Sequence, residues 1–143
     1  MRVEELMTEK PEMLRLRDTA ANAAARTRDG NIGFMPVIDD AEQVVGVLTD
    51  RDLTVRVLAE ALPPQTPVED VMTDDVISCS PDDELDRAEE LMRANQKARL
   101  VVIDEGGHAA GVISVADIAQ YEDSDRAGDV VGDIAEREAH PHP

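Results

Sequence analysis

The run Gly46-Val47-Leu48-Thr49-Asp50-Arg51-Asp52-Leu53 stands a second time in the chain as Gly111-Val112-Ile113-Ser114-Val115-Ala116-Asp117-Ile118, displaced by 65 positions. Outward from this run the offset is kept. Val37-Ile38-Asp39 returns as Val102-Ile103-Asp104, and Val3-Glu4-Glu5-Leu6-Met7-Thr8 returns as Val68-Glu69-Asp70-Val71-Met72-Thr73. No gap is needed, so one unit is written twice. The seam falls at Pro63-Pro64-Gln65-Thr66-Pro67, where prolines remove backbone donors and forbid a continuing helix. The expected division is a first domain at 1–63, a second at 66–123 and an acidic extension at 124–143.

Each repeat reads as a short leading helix, then strand, helix, strand, strand, helix. Pro81-Asp82-Asp83-Glu84 has the residues of a helix start, followed by Leu85, Ala88, Leu91 and Met92 at helical spacing. Asp18-Thr19 precedes the alanine-rich run Ala20 to Ala25, and Gly30 is the expected left-handed stop. Two β-branched runs, Met35 to Ile38 and Val44 to Leu48, flank Asp39-Asp40; Leu100 to Ile103 and Ala109 to Ile113 flank Gly106-Gly107. A closing helix is expected at about Asp50 to Leu62 and about Val115 to Tyr121. A unit of roughly 60 residues buries too little surface to be comfortable alone. The expected fold is therefore α/β (α+β), two three-stranded sheets with helices, packed sheet to sheet with approximate two-fold symmetry.

Composition narrows the function classes. Phe34 and Tyr121 are the only aromatics in 143 residues, so the core must be aliphatic. The longest apolar runs fall far short of the roughly 20 residues of a membrane helix, and the acidic start MRVEEL is unlike a signal peptide. A lone Cys79 allows neither an internal disulfide nor a zinc-thiolate cluster. These features point to a soluble, cytoplasmic protein with no membrane partner. The net charge of −18 argues against nucleic acid, since phosphate binding needs a positive footprint. It suits a solvated surface or a high-salt habitat better than an acidic docking face.

The ordered set, Met35-Pro36-Val37-Ile38-Asp39 before Gly46 to Asp52 and Arg99 to Asp104 before Gly111 to Asp117, resembles a tandem cystathionine-β-synthase (CBS) domain pair, also called a Bateman module. The resemblance covers residues 1 to about 121. It implies a non-enzymatic regulatory or sensor module that binds AMP, ADP, ATP or S-adenosylmethionine as a regulatory ligand in clefts between the domains, with no cofactor required. It also implies a homodimer, with an unknown protein effector as a further expected partner.

By resemblance, the signature aspartates Asp52 and Asp117 accept from ribose hydroxyls, and Thr49 and Ser114 lie near phosphate. The chemistry stands on its own, because a vicinal diol offers two donors that one carboxylate can accept. Thr or Ser three residues before an acidic residue is also an ordinary helix cap, and the two roles are compatible. The resemblance implies one cleft from Thr8, Met13, Ile32 and Gly33 with Ala98, Val112, Ser114 and Asp117. The other would take Thr73, Ser78, Lys97 and Ala98 with Gly33, Val47, Thr49 and Asp52. Arg99, Lys97 and Arg51 are the expected phosphate-facing cations. The first repeat departs from the pattern at Gly33-Phe34, which stands where the second has Ala98-Arg99, so a cation is missing on that side.

Three rivals follow from the same residues. An enzyme lacks support, with no nucleophile and base at supporting spacing and only His108, His140 and His142 as imidazoles. No metal-ligand spacing stands out either. A ligand-free structural or protein-interaction module is the serious alternative. In the tail, Val130, Val131 and Ile134 give Gly128 to Ala135 the pattern of a short ordered segment, and the last residues read as disordered.

Overall fold

A computed structural model describes residues 1–121; the segment expected at Gly128 to Ala135 lies outside the described residues. In chain order, a 3-10 turn at Val3–Glu5 leads to β1 (Thr8–Glu9), β2 (Leu14–Arg15), α1 (Ala20–Gly30), β3 (Phe34–Ile38) and β4 (Val44–Thr49). A helical turn follows, α2 (Asp50–Asp52), which continues as a π-helix over Leu53–Leu58. The second repeat gives a 3-10 turn at Val68–Asp70, then β5 (Ser78–Cys79), α3 (Leu85–Asn95), β6 (Arg99–Ile103), β7 (Ala109–Ser114) and α4 (Val115–Tyr121). This is the mixed α/β order that the repeat implies.

The chain divides into a continuous unit, Pro11–Val76, and a discontinuous one in which Met1–Lys10 joins the described residues that follow Val76. These bodies are offset from the sequence repeats, because the leading segment of each repeat packs with the other repeat. In the continuous unit β2 runs parallel to β3, which runs antiparallel to β4. Thr73 of the second leading segment then bridges to Val47, its N–H donating to Val47 O at 2.9 Å and its carbonyl accepting from Val47 N at 2.8 Å. In the discontinuous unit the order is β1-β7-β6-β5, and Thr8 pairs with Val112. Thr8 and Val112 are the positions 65 residues from Thr73 and Val47. The expected three-stranded sheet is thus present twice, with the leading segment as an added edge that forms a fourth strand in one unit.

The cores follow the same exchange. Leu14, Ala20, Ala23, Met35, Val37, Leu48 and Val57 of the first repeat are buried with Val68 and Val71 of the second. Val3 of the first is buried with Leu85, Ala88, Met92, Leu100, Val102, Ile113 and Ile118. The glycine that opens each signature run makes this docking feasible. A Cβ on Gly111 would stand 2.6 Å from the backbone oxygen of Thr8, and one on Gly46 would stand 2.6 Å from Met72 Sδ and 3.0 Å from Thr73 O.

Helix boundaries correct two expectations. The α1 start is as read, with the Thr19 hydroxyl accepting from Asn22 N at 3.1 Å. Gly30, however, is still helical, and the left-handed residue is Asn31 at φ 52°. Its counterpart Gln96 ends α3 at φ 55°. The helix expected from Asp50 to Leu62 is α-helical for one turn only and ends at Leu58. Wide π-type bonds close this stretch, Ala59 N to Thr54 O at 2.9 Å and Leu62 N to Val57 O at 2.9 Å. Among the described residues no helix is long and apolar enough to cross a membrane.

Candidate functional site

Each signature run leaves a strand and turns at once into a helix, and the turn is built the same way twice. Asp50 N donates to Gly33 O at 3.2 Å, and Val115 N donates to Ala98 O at 2.8 Å. The Thr49 hydroxyl accepts from Asp52 N at 3.1 Å while Asp52 Oδ2 accepts from Thr49 N at 3.0 Å. Ser114 Oγ accepts from Asp117 N at 3.1 Å, and Asp117 Oδ2 accepts from Ser114 N at 2.9 Å. Both are complete capping boxes, so each hydroxyl and one oxygen of each carboxylate already hold the helix start.

The two carboxylates differ in everything else. Asp52 is buried, at 8% exposure. The Thr73 hydroxyl donates to both of its oxygens, at 3.2 Å to Oδ1 and 3.3 Å to Oδ2, and Arg56 Nε lies 3.7 Å from Oδ1. Arg56 also donates from Nη1 to Met72 O at 3.0 Å. Asp117 is half-buried, and among the described residues its hydrogen bonds are those of the cap. Thr8, the counterpart of Thr73, is exposed, and Tyr121 stands in place of Arg56.

Cross-strand register sets the cations. Arg99 is opposite Ser114 and Phe34 is opposite Thr49, so a guanidinium borders the second signature and a phenyl ring the first. The remaining sequence-derived residues sort by unit. Thr73, Val47, Thr49, Asp52, Gly33, Ile32, Met13 and Arg51 belong to the continuous unit. Thr8, Val112, Ser114, Asp117, Ala98, Arg99, Lys97 and Ser78 belong to the discontinuous one. Within units, Thr73 meets Val47 and Asp52, and Thr8 meets Val112. Arg51, Lys97 and Arg99 are exposed, while Ser78 lies in β5 opposite Val101. Sequence reasoning missed Arg56. The signal was there, because Arg56 and Tyr121 break the repeat only three residues after the matched Leu53 and Ile118. No group of three or more His, Cys, Asp or Glu suited to a metal occurs among the described residues.

The sequence profile of the CBS domain matches residues 3–59 and 68–124. The chain belongs to the CBS domain family. Among relatives in sequence, protein YlbB of Bacillus subtilis (strain 168) is 32% identical over 137 residues, covering 94% of this chain and 92% of its own. Similar folds include the CBS domain pair of protein MJ0100, solved in complex with 5′-methylthioadenosine and S-adenosyl-L-methionine (TM-score 0.75, 22% identity, covering 85% of this chain and 94% of that one). CBSX2, solved in complex with AMP, is also similar (TM-score 0.74, 22% identity, 84% and 94% covered).

Proposed function

We propose that this CBS pair is a non-enzymatic, cytoplasmic regulatory module that binds an adenosine-containing ligand through a signature carboxylate. The observation that carries the reading is the second signature turn. There Asp117 keeps an accepting oxygen beyond its cap, Ser114 presents a hydroxyl, and Arg99 stands opposite on the neighbouring strand. Such a set matches a ribose diol and a phosphate or other polar 5′ group. That MJ0100 and CBSX2 were solved with adenosine ligands supports the same class. A ligand present only in the native state adds about 2.7 kcal/mol of stability at 100 times its dissociation constant. Melting curves with AMP, ADP, ATP and S-adenosylmethionine are therefore expected to shift upward for at least one of them. Four unmoved curves at millimolar concentration would remove the reading. With no Trp, a nucleotide carried through purification is also directly visible near 260 nm.

The second reading, a ligand-free interaction module, is favoured by one specific observation, that the signature hydroxyls and carboxylates complete both capping boxes with the chain's own backbone groups. In either reading we expect a homodimer. Val55, Leu58 and Leu62 are exposed along one stretch of the continuous unit, with Leu58 at 76%, and a second copy is the simplest cover for them. Sedimentation is expected to give twice the chain mass.

A further inference from the structure

We propose that Thr73 and Arg56 commit Asp52 to holding the continuous unit together, which leaves Asp117 as the single ligand-accepting signature carboxylate of the chain. The inference rests on the adenosine reading above and assigns it to one of two positions that the sequence makes equivalent. A vicinal diol needs lone pairs on both oxygens of a carboxylate. At Asp52 the Oδ2 lone pairs serve Thr49 N and the Thr73 hydroxyl, and Oδ1 faces the same hydroxyl and the Arg56 guanidinium. A diol at Asp52 has to displace a native hydroxyl and a native cation from a buried group, and leaving either unpaired is costly. The displaced groups are not local. Thr73 sits on the leading segment of the second repeat, and Arg56 grips that segment again at Met72 O, so opening Asp52 loosens the bridge between Thr73 and Val47.

At the second signature both parts of this clasp are gone. Thr8 is exposed and bonds to Asp117 nowhere, and Tyr121 carries no charge to place where Arg56 stands. The cations are distributed to match: Arg99 borders the Asp117 turn, whereas Arg56 at the Asp52 turn is spent on protein groups. Thr73 and Arg56 are thus positioning residues that act through Asp52 and decide how many ligands the chain takes.

The test is isothermal titration of the full chain with AMP and with S-adenosylmethionine, alongside thermal melts. The expected result is one ligand per chain for a probe that binds, weakened at least tenfold by Asp117→Asn. Two ligands per chain, or full affinity in Asp117→Asn, overturns the assignment while the adenosine reading stands. If neither probe binds and the melts with ADP and ATP also stay unmoved, the adenosine reading falls and the ligand half of the proposal falls with it. The clasp itself is then decided by a double-mutant cycle between Asp52→Asn and Thr73→Val in ligand-free protein. Strongly non-additive losses of melting temperature are expected, and additive ones overturn it. Arg56→Met adds a third corner that reports on the guanidinium without touching the hydroxyl.

Discussion

Cys79 is the one thiol of the chain, and it sits in the core beside Leu85 and Ala88. Burial, reinforced by the nearby Asp83 carboxylate, pushes its pKa up from 9.0 to about 12. Its neutral form is the one the fold favours. The stabilisation is therefore full below pH 9 and is lost as pH rises from there through about 12. At pH 8 the native thiol is expected to resist a disulfide reagent and to react only on unfolding, so prompt stoichiometric labelling would contradict the packing. The capping hydroxyls are a second residue-scale test. Ser114→Ala is expected to lower the stability of the unliganded protein by roughly 0.5–2 kcal/mol, the usual range for a lost N-cap. Both capping pairs were legible, because Thr or Ser three residues before Asp is a local pattern. The Thr73 bond to Asp52 was not, because a contact between residues 21 apart depends on how the second leading segment docks.

At the level of elements, the fixed offset made strand and helix order readable, since β-branched runs and helical spacing recur in register. Boundaries were less readable where one residue's backbone decides them. Gly30 reads as the stop of α1, but the left-handed turn comes at Asn31, whose short polar side chain tolerates that conformation. Gln96 carries the same strain without that aptitude. Gln96→Gly is expected to raise the melting temperature, by roughly 0.5–1 kcal/mol of stability, and more than Asn31→Gly does. The opposite holds for the signature glycines. Gly111→Ala places a methyl 2.6 Å from the Thr8 carbonyl, which cannot swing aside as a side-chain tip would. Amide exchange is expected to quicken at Thr8 and Glu9 while the β6–β7 pairing stays protected, and unchanged exchange at Thr8 would show that the edge strand absorbs the methyl.

For the molecule as a whole, the sequence showed two repeats but not the crossing of their leading segments, since similar segments fit similar beds and no local pattern says which segment docks on which. The crossing predicts an inequality between fragments. Residues 11–76 contain every core residue of the continuous unit, while residues 1–63 lack Val68 and Val71 and carry Val3 without its core. The first fragment is expected to show more native circular dichroism and a sharper melt than the second, and the reverse order would refute the division. The same crossing sets a timetable during synthesis. The bed of Thr73 is already made when Thr73 emerges, but Thr8 must wait for Val112, about a hundred residues later. At the usual 5–20 residues per second, β1 stays unpaired for roughly 5–20 s after it is made, so it is among the last pieces of its unit to find its place.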